Sequence, residues 1–94
     1  MLTYEEARKI GVNACIDRLG RDFVTRHRDN ACSAFGDRAD HASCFVGVSD
    51  QPIQPMTDGL RLTSDDQFPF VARCNVAYSD GTITFMECVL PQEA

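Results

Sequence analysis

The chain has 94 residues, 44% of them hydrophobic, and a formal net charge of −5. That length suits one domain around one core and leaves no room for a second. There is no run of about eighteen apolar residues, which excludes a membrane-crossing helix.

The first six residues, Met1 to Glu6, are acidic and lack the basic head and apolar middle of a secretion signal, so a cytoplasmic address is the expectation. Five cysteines (Cys15, Cys32, Cys44, Cys74 and Cys88) make an odd set, with no two closer than twelve positions. Small secreted scaffolds normally carry an even set at tight spacings. Reduced thiols packed as small hydrophobes are therefore expected, with one native disulfide left open.

Charge is divided along the chain. Residues 1–28 hold six basic and four acidic side chains, and residues 29–94 hold three basic and ten acidic. A basic first part and an acidic second part argue against binding to a phosphate backbone, which needs one broad basic face. They leave room for an acidic surface that meets a basic partner.

Thr3 and Glu6 have capping-box spacing, and behind them Ala7, Ile10 and Ala14, with Val12, Ile16, Leu19 and Phe23, recur at helical intervals. A helix is expected over about 4–19, closed or bent by Gly20. Phe23, His27, Ala31 and Phe35, four apart, extend the helical reading over roughly 21–35, ended by Gly36 and the polar run 37–40. The helical part is thus 4–35 and the sheet 43–90.

Residues 43–49 are short, β-branched and bounded by turn formers, which reads as a strand. Pro52 and Pro55 make 50–58 an extended loop, and Leu60 and Leu62 alternate with Arg61 and Thr63 in a second short strand. Residues 70–78 and 82–90 form two longer strands joined at Ser79-Asp80-Gly81, a strong hairpin signal. The expected fold is α+β: a bent helix or helix pair on one face of a four-stranded antiparallel sheet. A cystatin-like or similar arrangement of one helix on four strands is compatible with this order, at the level of fold alone.

Hairpin register decides the surface. A two-residue loop at Asp80-Gly81 pairs Tyr78 with Ile83, Val76 with Phe85, Cys74 with Glu87 and Ala72 with Val89. A three-residue loop with Gly81 as a bulge pairs Arg73 with Glu87 and Cys74 with Met86. The first separates apolar from polar residues better and is preferred, while the second gains a charge pair.

In either register neither face is cleanly polar, unlike an antiparallel sheet with one solvated side. The helices cover one face, and part of the other needs a cover. A homodimer through the sheet, or another protein, is the expected partner, with Val71, Arg73, Ala77, Met86, Cys88 and Leu90 as interface candidates. The competing expectation is that loop 50–58 folds back across that face.

Residues of the types that carry chemistry are sparse. His27, Cys32, His41 and Cys44 have zinc-type ligands, but only His41 and Cys44 approach the spacing of a metal knuckle, so no metal is expected. Cys88 faces Arg73 only diagonally, and Cys15 and Cys74 read as buried, so a reactive thiol is not expected. Glu87 is a carboxylate with apolar neighbours in one register, but water at the sheet end is the better reading. Asp50, Asp58, Asp65, Asp66 and Asp80 fall in loops, as turn formers that together make an acidic surface. No glycine-rich phosphate loop is present, and stacking aromatics with basic neighbours are missing.

These observations favour a small non-enzymatic interaction or regulatory domain without a cofactor. The alternatives are an inhibitor whose acidic loops block a basic nucleic-acid-binding surface of a target enzyme, a small-ligand-binding domain, and a zinc-binding protein.

Overall fold

The computed structural model describes residues 1–49 and 68–91. The expected loop 50–58 and strand 60–63 lie outside them. Helix α1 spans Tyr4–Leu19 and a short α2 spans Arg21–Arg26, followed by a single 3-10 turn, Arg28–Asn30. Four strands follow: β1 (Ala31–Asp37), β2 (His41–Val48), β3 (Phe70–Ala77) and β4 (Ile83–Val89). They form one antiparallel sheet in the order β1-β2-β3-β4. The architecture is α+β, with helix packed on a four-stranded sheet, and no described helix is long and apolar enough to cross a membrane.

Helix α1 starts where its sequence says it should. The Thr3 hydroxyl accepts from the Glu6 amide at 3.1 Å, and the Glu6 carboxylate accepts from the Thr3 amide at 2.9 Å. Each satisfies a backbone donor that the first turn leaves free. The Gly20 amide closes the last turn on the Ile16 carbonyl, and its φ of 106° suits a residue without a side chain.

The seam of α1 against the sheet is Ala7, Gly11, Cys15 and Leu19, four apart; Ile10, Val12 and Ile16 pack at its margins. The innermost contacts are thus the small residues, which let the helix lie close to β2 and β3. A Cβ on Gly11 would stand 2.1 Å from the Cys44 Sγ and 3.1 Å from a Val76 methyl. No larger residue fits there. Beneath the seam, Ala42, Cys44, Val46 and Val48 of β2 and Ala72, Cys74 and Val76 of β3 complete the main core.

The expected helix over 21–35 is corrected by the structure. Helical backbone ends at Asn30, and 31–37 is the edge strand β1. The Asn30 side chain donates to the Ser49 carbonyl at 3.0 Å, while the Ser49 amide donates to the Asn30 carbonyl at 2.8 Å. This double link ties the start of β1 to the end of β2. Ala31 and Phe35 then pack toward the core, while Cys32 and Ala34 sit on the other face.

The preferred hairpin register is also corrected. Arg73 pairs with Glu87, Ala72 with Cys88 and Val71 with Val89. Past a bulge between Arg73 and Cys74 the register shifts, so Cys74 pairs with Phe85, Asn75 with Thr84 and Val76 with Ile83. Met86 is the extra residue. Gly81, at φ 77°, closes the turn by donating to the Ala77 carbonyl at 2.8 Å. The physical reason lies in Glu87: the two-residue register would set its carboxylate opposite Cys74, in the buried layer under α1. The bulge keeps Glu87 with Arg73 on the outer face and still places Ile83 and Phe85 on the helix side.

Candidate interaction surface

The face of the sheet away from α1 is partly closed by this chain's own residues. Phe45, Phe68 and Val71 form a second small core with Cys32 beside it. Phe68 meets Phe45 edge to face, with ring centroids 5.6 Å apart. Gly47 makes room for this packing, because a Cβ there would lie 2.8 Å from the Phe68 ring. Next to it the Arg73 guanidinium lies 4.7 Å above the Phe45 ring and donates to Glu87 at 2.9 Å.

Beyond Arg73 the outer face holds a shallow depression of about 230 Å³, with Ala34, Gly36, Ser43, Asn75 and Met86 among its lining residues. Its walls mix small apolar groups with the polar ends of Ser43, Asn75 and Arg73. Among the described residues, no histidine or carboxylate lines it beside Ser43, Cys44 or Cys74.

The exposed apolar surface lies elsewhere. Apart from Met1, every large hydrophobic residue exposed among the described residues belongs to β4 or the residue after it: Ile83, Phe85, Met86, Val89 and Leu90. β4 is an edge strand, with β3 on one side and no strand on the other among the described residues. Its apolar side chains project from both faces. Ile83 and Phe85 lie on the helix side, opposite Val76 and Cys74, and Val89 lies on the outer side, opposite Val71. Met86, at the bulge, lines the outer depression and is 61% exposed.

Electrostatically the strip is mild. Glu87, the one acid on β4, is neutralised by Arg73, and Arg18 of α1 lies 4.9 Å above the Phe85 ring. A cation over an aromatic face is attracted to the ring's negative π surface. The strip therefore carries little of the chain's net charge of −5.

Among the interface candidates, Met86 and Leu90 are exposed, while Arg73 and Ala77 are half-buried. Val71 is 4% exposed and packs in the small outer core. Cys88 sits opposite Ala72 on the helix side, packed against the main core. Val71 is thus covered by Phe68, and half-buried Cys88 lies on the opposite face from the one the expected register gave it. Ile83, Phe85 and Val89, which are not among those candidates, are exposed as well. Their signal was present in the run 83–90, apolar on both faces in the last strand of the sequence.

The zinc candidates do not meet. Cys44 is buried under α1, and Cys32 lies on the opposite face of the sheet. The His27 ring contacts the Phe23 carbonyl through Nδ1 at 2.9 Å and packs against the Phe23 ring, while His41 pairs with Asp40. That pairing holds the Asp40 carboxyl below its usual range, first through the hydrogen bond and then through charge. Of the acidic-surface candidates, Asp50, Asp58, Asp65 and Asp66 lie outside the described residues. Asp80 accepts from the Thr82 amide at 2.9 Å, and hydrogen bonding from the Thr82 side chain, then from its backbone, lowers the Asp80 pKa and gives it a role in the turn.

No family model matches the chain, and neither the curated proteins nor the solved structures contain a significant match to it.

Proposed function

We propose that this chain is a non-enzymatic interaction domain that associates with a second copy of itself through β4. One observation carries the reading: the exposed large hydrophobics other than Met1 gather on a single edge strand. Soluble proteins blunt such edges with charge, proline or a cover, because an open edge pairs with other chains. β4 has a bulge and one neutralised acid, and keeps an apolar character on both faces.

A second copy suits this edge for two reasons. A strand pairs antiparallel with its own copy about a two-fold axis, which makes a closed, isologous contact. The ion pair of Arg73 with Glu87 also removes like-charge repulsion where two copies, each at −5, approach. Pairing β4 with β4 of the copy joins the four described strands of each chain in one continuous sheet and shelters Met86 and Val89 of both chains.

A lysine at the centre of the strip tests this directly. Met86→Lys and Val89→Lys both place a charge on exposed positions that make no core contact, so each folds as the parent does. Each is expected to weaken self-association at least tenfold in sedimentation equilibrium. Unchanged association in both variants would reject β4 as the contact.

A further inference from the structure

Three of the five cysteines converge where α1 lies on the sheet. The Cys15 thiol on α1 is 3.6 Å from the Cys74 sulfur on β3, and the Cys74 thiol is 3.6 Å from the Gly11 carbonyl. Cys44 is the cross-strand partner of Cys74, and its Sγ occupies the space a Gly11 side chain would take. All three are buried, at 0% for Cys15, 1% for Cys74 and 3% for Cys44. Cys32 lies on the other face, while Cys88 of β4 is on the same face, packed at the margin of this core and near enough to Cys15 to interact with it electrostatically.

We infer that Cys15 and Cys74 are a disulfide-forming pair, through which hydrogen peroxide locks α1 onto the sheet. Their sulfurs already touch, from two different elements, with no side chain between them. Closing the remaining gap to a bond of about 2.05 Å asks for a shift of roughly 1.5 Å, within reach of small rotations of two side chains. The hydrogen bond from Cys15, opposed by burial and aided by Cys44, holds the Cys74 thiol below its ordinary value, while Cys15 and Cys44 are held above theirs. Because the Cys15 thiol donates to the Cys74 sulfur, Cys74 is the attacking sulfur of the pair and Cys15 the resolving one.

The reaction balances with peroxide as the two-electron oxidant. The Cys74 sulfur attacks one peroxide oxygen, the O–O bond breaks, and one water leaves with Cys74 as a sulfenic acid. The Cys15 sulfur then attacks the Cys74 sulfur, forming the S–S bond and breaking the S–O bond. The hydroxyl departs as a second water, carrying the thiol proton of Cys15. Two thiols and one peroxide become one disulfide and two waters. Because both sulfurs are buried, the rate follows transient opening of α1, while the identity of the linked pair follows the packed geometry.

The consequence is mechanical. The bond joins positions on α1 and β3 that are 59 apart in sequence, so it closes a long loop in the unfolded chain. A link of that span raises the thermal midpoint by roughly 15–30 °C in a domain of this size, reversibly on reduction with dithiothreitol.

The full chain, reduced and then treated with one equivalent of hydrogen peroxide, tests the inference by intact mass and peptide mapping. The expected product is 2 Da lighter, with Cys15 linked to Cys74 and Cys44 still alkylatable. The Cys32→Ser/Cys88→Ser variant, which leaves the buried cluster intact, should give the same link and the same rise in midpoint. A link between Cys44 and Cys74, or oxygen added at Cys32 and Cys88 with Cys15 and Cys74 still reduced, would overturn it.

Discussion

Arg73 and Glu87 face each other across β3 and β4, with the guanidinium Nε donating to the carboxylate at 2.9 Å. The same guanidinium rests on Phe45, so a single arginine joins the edge strand to the outer core. The bulge one residue away allows this pair and an apolar helix-side layer to coexist in one hairpin.

Glu87→Gln is expected to cost only about 0.5 kcal/mol in urea denaturation, because both side chains are substantially solvated and such pairs contribute little. The hairpin keeps its register, since glutamine is as unwelcome as glutamate opposite Cys74. A loss above about 2 kcal/mol would mean that the charge, and not the avoidance of a buried polar group, sets the register.

Gly11→Ala places a methyl group 2.1 Å from the Cys44 sulfur. Alanine favours the helix by about 1 kcal/mol, while overpacking a fitted core costs about 1–3 kcal/mol. The expected net loss is up to about 2 kcal/mol, measured by chemical denaturation. Adding Cys44→Ala should recover part of it in a double-mutant cycle, since it removes the atom in conflict.

Much of this fold was legible in the sequence, and the failures have physical causes. Helix α1 was bounded correctly because its cap, its glycine stop and its apolar period agree. β2, β3 and β4 fell within two residues of their expected bounds, since alternation and the turn around Asp80-Gly81 mark them. β1 was read as helix because a spacing of four satisfies a period of 3.6 and a period of two equally. Phe23 and His27 pack ring against tilted ring at a helix end, whereas Ala31 and Phe35 share one side of a strand. The candidate surface was only half legible. The excess of apolar sheet was visible, but its gathering on one edge depended on the bulge at Met86 and on Phe68 covering the outer face.

Asn30→Ala probes the junction that converts the helical stretch into β1. It removes the side-chain bond to the Ser49 carbonyl and leaves that acceptor half-buried. The expected cost is about 1 kcal/mol, with faster amide hydrogen exchange concentrated in β1. Protection unchanged along β1 would show that backbone pairing alone holds the edge.

Tyr78 makes stability fall at high pH. Partial desolvation, then its hydrogen bond to the Asp37 carboxylate, push its pKa up from the ordinary 10.0 to about 12. The folded chain therefore retains a phenolic proton that the unfolded chain has lost. Its contribution is complete below pH 10 and disappears as pH rises toward 12. Tyr78→Phe should flatten the decline of the thermal midpoint over that interval. An identical slope in the two proteins would exclude Tyr78 as its source.

Molar mass in solution, followed by light scattering over a hundredfold range of concentration, bears most directly on the role of β4. Association through the strand gives a mass that rises from 10.4 kDa toward twice that value and then stops, because the two-fold contact is closed. A mass fixed at 10.4 kDa throughout, or one that climbs past the dimer without a plateau, would contradict it.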